Sequence, residues 1–317
     1  MNNNVSSPER NNKRGVSLKY HAGALLAVTA WGVSFISTKV LLQNGLSPVE
    51  IYIYRFLLAY IFVLLLCPKP FLSHSVKDEV KFLLVGICGG SVYFIAENTA
   101  VDYTLVTNVS LIVTTAPLLS TLIMGVMYKN ERPSGGFLFG SILAFLGVAL
   151  VIFNSSIVIK VMPLGDMLSF LAALAWAFYS ILLRPLNAVY SAWFITRKTF
   201  FYGVITALPF LAIEPELEPL SVIMRPAVLG NLLFLGLFAS LAAYFLWAQS
   251  IKSMGVMKAS NYLYVSPIVT LVMSAVVLDE HVTWIGYTGC AIIMIGVILS
   301  EKLSGKRLRP GSSSNPR

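Results

Sequence analysis

The sequence predicts an all-α integral membrane protein with ten transmembrane helices, arranged as two inverted five-helix repeats. The prediction is based on composition and on an internal repetition. Hydrophobic residues make up 57% of the 317 residues and charged residues only 12%, against roughly 25% charged in an average soluble domain. The apolar residues are grouped into runs of about 20, the length that a helix needs to cross roughly 30 Å of hydrocarbon.

Ten apolar runs have this length, and each is expected to form one membrane-spanning helix. They cover residues 20–42, 48–67, 80–101, 104–128, 134–153, 164–184, 191–213, 226–250, 258–278 and 283–301. The first run exceeds the roughly 7–15 apolar residues of a signal-peptide core, so we expect it to be retained. Residues 1–19 and 302–317 are then polar tails.

The distribution of basic residues indicates the orientation of these helices. The net charge is +9, and most lysines and arginines lie in both tails and in alternate connections between runs. Such a bias matches the positive-inside rule and predicts that both termini are cytoplasmic. We expect a multi-pass protein of the plasma membrane, or of the inner membrane in a Gram-negative bacterium. No nucleic-acid binding is expected from this charge.

The second half of the chain repeats landmarks of the first. The offset is 145 at Ala30-Trp31 and Ala175-Trp176, 150 at three pairs and 149 at three later ones, namely Gly86/Gly236, Ser110/Ser260, Pro117/Pro267, Glu131/Glu280, Gly140/Gly289 and Gly147/Gly296. Each unit contains five predicted helices, over residues 20–153 and 164–301. Five is odd, so the second unit enters from the opposite side. Inverted repeats of this kind can rock around a shared midplane site, which permits alternating access.

The duplicated order of these landmarks resembles the two repeats of EamA-type proteins in the drug/metabolite transporter superfamily. The resemblance covers about residues 20–300. It implies a ten-helix transporter whose substrate cavity is bordered mainly by helices 1, 3, 4, 6, 8 and 9. It also implies an exporter of small metabolites such as amino acids or related amphiphilic compounds.

Glu97 is the most informative single residue, because a charge within a membrane-spanning run is expensive and normally faces a bundle interior or a cavity. Tyr93 and Glu97 share one face of helix 3, and Trp247 occupies the equivalent position of Glu97 in helix 8. Glu97 is predicted either to bind a substrate ammonium or proton, or to form a structural ion pair with Lys39 or Arg55. Both interpretations remain open at this point.

Further candidates for the substrate site are aromatic and polar residues within predicted helices 1, 4, 6 and 9. They are Trp31, Ser34, Asn108, Trp176, Tyr179, Asn261 and Tyr264. Each is interpreted either as lining the cavity or as packing and bonding between helices. Arg55 has Arg197 or Lys198 as its counterpart in helix 7, where either could attract an anion or bond backbone carbonyls. No carboxylate is expected in the inner, cytoplasmic half of the membrane to match Glu97, so that half of the membrane region would be net positive.

The remaining patterns bear on other classes of protein. No paired aspartates, HExxH motif or Ser/His pair is found in the sequence, so we expect no enzyme, and no metal, cofactor or Walker A motif is predicted. The expected partners are a small-molecule substrate and membrane lipid. Glycines in helices 5 and 10 predict close packing, either at an edge pair or at a dimer face, so monomer and homodimer both remain. The alternative function is a structural or lipid-scrambling role.

Overall fold

The computed structural model describes residues 18–103, 106–128, 132–152, 162–212, 217–277 and 283–303, and the regular structure in these ranges is helical. Seven of the described helical stretches are long and apolar enough to cross a membrane: Leu18–Gln43, Pro48–Leu66, Val76–Ala100, Gly135–Ile152, Pro163–Val189, Pro226–Met254 and Trp284–Leu303. The chain is therefore a multi-pass helical membrane protein.

Fifteen α-helices make up these stretches and the segments between them. They are α1 Leu18–Gln43, α2 Pro48–Leu66, α3 Val76–Gly86, α4 Val92–Tyr103, α5 Val106–Val113, α6 Ala116–Met127, α7 Gly135–Ile152, α8 Pro163–Val189, α9 Ala192–Ala212, α10 Leu220–Ile223, α11 Pro226–Leu233, α12 Ala243–Met254, α13 Val256–Asn261, α14 Ser266–Val277 and α15 Trp284–Leu303. The fourth, seventh and ninth predicted runs correspond to α5 with α6, to α9, and to α13 with α14. None of these is among the seven stretches, so the count of ten crossings stays a prediction.

Side-chain caps fix the starts of α2 and α3. The Ser47 hydroxyl accepts a hydrogen bond from the Glu50 backbone N–H while the Glu50 carboxylate accepts one from the Ser47 backbone N–H, which is a capping box. Ser75 caps α3 with a single bond, its hydroxyl accepting from the Asp78 backbone N–H. Because of this cap α3 begins at Val76, four residues before the predicted run, and Glu79 lies within its first turn.

The two prolines of the repeat mark breaks at matching positions. Pro117 is the second residue of α6, which follows a turn at Thr114 and Thr115. Pro267 is the second residue of α14, which follows a short 3-10 helix over Tyr262–Val265. Proline has no N–H to donate and is tolerated in the first turn of a helix. A helix break precedes each proline.

Two segments of π-helix lie inside the third and eighth predicted runs. They cover Ile87–Ser91, between α3 and α4, and Phe234–Ala242, between α11 and α12. Gly89 and Ala239, 150 residues apart, lie within these segments at equivalent positions of the repeat. π-helical turns are rare and occur frequently at functional sites. The same irregularity is thus present in both halves of the chain.

Glycines bring α7 and α15 into close contact. A Cβ atom added to Gly147 would lie 2.6 Å from the Ile293 backbone nitrogen, and one added to Gly289 would lie 2.8 Å from the Gly147 carbonyl oxygen. Gly140 and Gly296 approach the opposite helix just as closely. The close packing predicted for these glycines is confirmed, and the partner helix belongs to the same chain.

Candidate functional site

Six aromatic side chains from four helices meet in the interior of the bundle. We call them the aromatic cluster: Trp31 of α1, Tyr93 of α4, Trp176 and Tyr179 of α8, and Tyr244 and Trp247 of α12. The ring centroids of Trp31 and Trp176 are 5.1 Å apart, and those of Trp31 and Trp247 are 5.2 Å apart. Edge-to-face and tilted contacts at these distances are favourable arrangements of aromatic rings. Five of the predicted site residues are therefore neighbours.

Tyr244 is the member of the cluster that the sequence analysis missed. It lies three residues before Trp247, so the two share a face of α12. That spacing could have identified it. The Tyr244 hydroxyl donates a hydrogen bond of 2.6 Å to the Gly89 carbonyl, and the Trp31 indole N–H donates one of 2.8 Å to the Ala239 carbonyl. The two π-helical segments thus supply the acceptors that orient these two rings.

Two opposite charges are buried beside the aromatic cluster. Glu97 accepts a hydrogen bond of 3.0 Å from the Tyr93 hydroxyl. Arg55 donates from Nε to the Ser240 hydroxyl over 2.9 Å, and its guanidinium lies 4.9 Å from the centroid of the Phe94 ring. The exposed fraction is 9% for Glu97 and 4% for Arg55. The Phe94 ring beside Arg55 contacts the Tyr93 ring, the donor to Glu97, with ring centroids 4.9 Å apart.

Glu97 and Arg55 do not form a direct ion pair in this structure. Among the described residues, no nitrogen of Arg55 or Lys39 lies within 4.0 Å of the Glu97 carboxylate. Lys39 is exposed on α1, so Arg55 is the one of the two predicted partners that is buried with Glu97. The site therefore holds a carboxylate and a guanidinium that are near each other but have separate hydrogen-bond partners.

Two other predicted site residues, Ser34 and Asn261, form hydrogen bonds with groups outside the aromatic rings. The Ser34 hydroxyl donates to the Trp31 carbonyl within α1 over 2.7 Å. Asn261 accepts from the Ser141 hydroxyl over 3.1 Å and donates to the Ser300 hydroxyl over 2.6 Å, which links α13 to α7 and α15. The cavity beside Asn261 has a volume of about 10 Å³, which is room for a single water at most.

Tyr264 is fully buried with apolar residues of α7 and α15 rather than with the aromatic cluster. Asn261 and Tyr264 therefore both contact the α7–α15 pair in this structure. Their role at the substrate site stays a prediction. The side chain of Asn108 lies outside the described residues.

A polar cluster joins α9 to α3 and to the connection before it. Lys198 forms an ion pair with Glu79, which also accepts from the Tyr202 hydroxyl over 2.5 Å and from the Ser73 N–H over 3.1 Å. Arg197 donates to backbone carbonyls of the α2–α3 connection, at Cys67 and Pro70. The expectation that no carboxylate matches these cations is wrong, because the Ser75 cap places Glu79 inside α3.

These features define the class of the protein. Buried opposite charges among aromatic rings, between helices long and apolar enough to cross a membrane, are typical of helical membrane transport proteins. Two stretches, residues 18–153 and 163–301, match the model of the EamA-like transporter family. The chain belongs to the EamA-like transporter family.

Similar proteins agree with this assignment. An uncharacterized transporter of Archaeoglobus fulgidus is 26% identical over 291 residues, which cover 89% of this chain and 97% of the relative. The "Probable amino-acid metabolite efflux pump" of Escherichia coli (strain K12) is 24% identical over 284 residues, covering 87% and 93%. Their names describe transporters rather than enzymes.

A solved structure shares the fold. It superposes with a TM-score of 0.76 over 92% of this chain and 99% of its own, at 16% identity. At that identity the likeness concerns the fold alone. It shows that the helix arrangement described above is found in another protein of quite different sequence.

Proposed function

We propose that this EamA-like transporter is a secondary transporter that exports small amphiphilic metabolites, such as amino acids, by alternating access around the aromatic cluster. The proposal includes ten membrane-spanning helices in two inverted repeats, residues 20–153 and 164–301, with both termini cytoplasmic. The matching π-helical segments and proline breaks of the two halves support this symmetry. The protein acts as a monomer or a homodimer.

The observation that carries the substrate class is the separated charge pair beside the aromatic rings. An amino acid has an ammonium and a carboxylate on one carbon, and usually an apolar side chain. Glu97 would bind the ammonium, the positive charge of Arg55 would attract the carboxylate, and the rings would contact the apolar part. Binding such a zwitterion would give each buried charge a partner of opposite sign, which favours desolvated charges.

The export direction is supported by the name of the Escherichia coli relative, "Probable amino-acid metabolite efflux pump". Glu97 also has a second role open to it, since buried acids recur in the proton relays of transporters. If Glu97 carries the coupling proton, a pH gradient drives transport through this residue. If it binds only the ammonium, it affects affinity and not the coupling.

The test is uptake of an amino-acid panel and of amphiphilic cations into proteoliposomes, with and without a pH gradient. Saturable uptake that the gradient stimulates is expected for the wild type. In the Glu97→Gln variant the response to the gradient should be lost. Glu218→Gln serves as a matched control, because Glu218 lies in the connection before α10, away from the aromatic cluster, and it should transport like the wild type.

Two outcomes contradict the proposal. Full gradient-driven flux in Glu97→Gln would exclude proton coupling through this residue. No saturable uptake by folded wild-type protein would remove the support for metabolite transport and favour the structural or lipid-scrambling alternative. Measuring the movement of a fluorescent phospholipid between the leaflets of the same vesicles then distinguishes a lipid-scrambling role from a structural one.

A further inference from the structure

Two equivalent tryptophans of the aromatic cluster have different hydrogen bonding. Trp31 and Trp176 match at an offset of 145 in the repeat. The Trp31 indole N–H donates to the Ala239 carbonyl over 2.8 Å. The Trp176 indole nitrogen is buried, in a side chain that is 5% exposed, and has no hydrogen-bond partner among the residues that the structure describes. The equivalent indole N–H groups therefore differ: the one in the first half of the chain is hydrogen-bonded, and the described structure shows no acceptor for the one in the second half.

The reason lies in one further difference between the repeats. Gly89 is the counterpart of Ala239 at an offset of 150, so the symmetric acceptor for Trp176 would be the Gly89 carbonyl. That carbonyl instead accepts from the Tyr244 hydroxyl over 2.6 Å. The first-half counterpart of Tyr244 is Phe94, which has no hydroxyl to donate. The tyrosine thus occupies the acceptor and leaves the Trp176 N–H unpaired.

Within the part of the chain that the structure describes, two other buried polar groups near Trp176 also lack a hydrogen-bond partner. Trp247 is fully buried, its indole nitrogen has no partner, and its ring centroid lies 6.3 Å from that of Trp176. The Ser180 hydroxyl, one helical turn beyond Trp176, is fully buried without a partner as well. Buried donors in folded proteins are almost always paired, and leaving one unpaired is costly. Three such groups around one pair of rings indicate a place for a hydrogen-bond acceptor.

We propose that the indole N–H groups of Trp176 and Trp247, with the Ser180 hydroxyl, bind an oxygen of the substrate's carboxylate. This inference rests on the proposed transport function and adds the groups that recognise one end of the substrate. The guanidinium of Arg55 is buried and donates to Ser240, in the π-helical segment that also supplies the Ala239 acceptor of Trp31. Its positive charge beside the cluster favours an anionic acceptor over a neutral carbonyl. Trp31 has a different role, since its N–H is already bonded and holds α1 against the π-helical segment before α12.

Three probes that share a phenyl ring separate the two charged ends of the substrate. L-phenylalanine carries both charged groups, 2-phenylethylamine lacks the carboxylate, and 3-phenylpropionate lacks the ammonium. Equilibrium binding of each radiolabelled probe is measured on the full chain in lipid nanodiscs. Trp176→Phe and Trp247→Phe should each weaken binding of the two carboxylate probes about 10-fold or more, the usual effect of losing a hydrogen bond to a charged group. Binding of 2-phenylethylamine should change by less than about 2-fold, because this probe has no carboxylate to lose a bond and phenylalanine keeps an aromatic ring at the position.

Matched variants separate hydrogen bonding from packing. Trp31→Phe removes an indole of the same cluster and should change the affinity for all three probes by a similar factor. Benzothienylalanine at position 176 or 247 keeps the shape of indole but has no N–H, so it should reproduce the selective loss even where phenylalanine impairs folding. Tyr244→Phe should also weaken carboxylate binding selectively, because the freed Gly89 carbonyl then accepts from Trp176.

Several results would overturn the inference. An equal loss for all three probes in the Trp176 and Trp247 variants would show that these rings act by packing alone. Wild-type binding of 2-phenylethylamine without either carboxylate probe would refute carboxylate recognition and leave transport of amphiphilic cations standing. Wild-type protein that binds none of the three probes would count against the proposed substrate class itself, and the inference would fail with it.

Discussion

The ion pair between Lys198 and Glu79 allows a stability prediction that distinguishes its two partners. Both groups are largely buried, with side-chain exposures of 5% for Lys198 and 24% for Glu79. Replacing Glu79 by alanine leaves the Lys198 ammonium beside aromatic rings only partly able to compensate its charge. The nearest is Tyr202, whose ring centroid lies 5.5 Å from the Lys198 Nζ. Breaking a buried pair by removing one partner costs about 3–5 kcal/mol. We expect Glu79→Ala to lower the free energy of unfolding by that amount.

Replacing the other partner, Lys198, should lower the free energy of unfolding by less. In Lys198→Met the Glu79 carboxylate keeps the hydrogen bonds from the Tyr202 hydroxyl and the Ser73 N–H, and it is partly exposed. The carboxylate then loses only its hydrogen bond from the Lys198 ammonium, which costs about 1.5–3 kcal/mol of unfolding free energy. The double variant removes both charges, so it should be more stable than Glu79→Ala alone. Neighbouring charges that are removed together are not expected to behave additively.

The assay is reversible unfolding of the purified protein in mixed micelles, followed by circular dichroism, for the wild type, both single variants and the double variant. A coupling energy of about 2 kcal/mol is expected from the double-mutant cycle. Additive effects, with a coupling below about 0.5 kcal/mol, would refute the reasoning, since independent sites give that result. So would a Lys198→Met variant less stable than Glu79→Ala.

Three further predictions concern packing and hydrogen bonding. Gly147→Ala should destabilise the fold by about 1–3 kcal/mol, as overpacking typically does, because the added Cβ would lie 2.6 Å from the Ile293 nitrogen; Gly135→Ala, with nothing within 4 Å of the added atom, should not, and equal melting temperatures would contradict this. Asn261→Ala should lower the free energy of unfolding by about 1–3 kcal/mol, since two buried hydroxyls lose a partner, and should leave ligand selectivity unchanged; a shift in the order of ligand affinities would instead place Asn261 at the substrate site. Tyr202→Phe should cost about 1.5–3 kcal/mol, the usual value of a hydrogen bond to a charged group, in the same unfolding assay, and a neutral result would show that the bond to Glu79 adds nothing to stability.

Much of the architecture could be predicted from residues whose physical effect is local. Pro117 cannot donate a backbone hydrogen bond, so a break near it follows wherever the helix lies. Gly140 and Gly147 have no side chain, so a neighbouring helix is able to approach them. Tryptophans in the middle of a membrane helix, such as Trp31 and Trp176, are more distinctive than those near its ends, and they predicted positions in the bundle interior. These predictions require no knowledge of the partner residue.

The features that were missed depend on the partner. Glu79 was left outside its helix because the apolar run begins at position 80, although Ser75 followed by acidic residues is a helix-start signal. Whether the indole N–H of Trp31 or of Trp176 finds an acceptor depends on side-chain rotation and on which carbonyls lie opposite, and neither can be read from one sequence. For Asn261, polarity alone does not distinguish a residue that lines a cavity from one that bonds between helices, so the sequence left both interpretations open. The π-helical segments were not predicted: the first contains Gly89 and Gly90 and the second Gly236, and glycine by itself does not distinguish a π-helical turn from close helix packing.

The matching π-helical segments have a consequence for the history of the chain. π-helical turns are rare in helices. Their presence around Gly89 and again around Ala239 is explained by inheritance from a single ancestral unit that was later duplicated. The replacement that distinguishes Phe94 from Tyr244 then came after duplication, when the two copies were free to diverge. On this view the ancestor, as a pair of identical subunits, bonded both tryptophans alike, and the asymmetric carboxylate site proposed above requires two copies that have diverged within one chain.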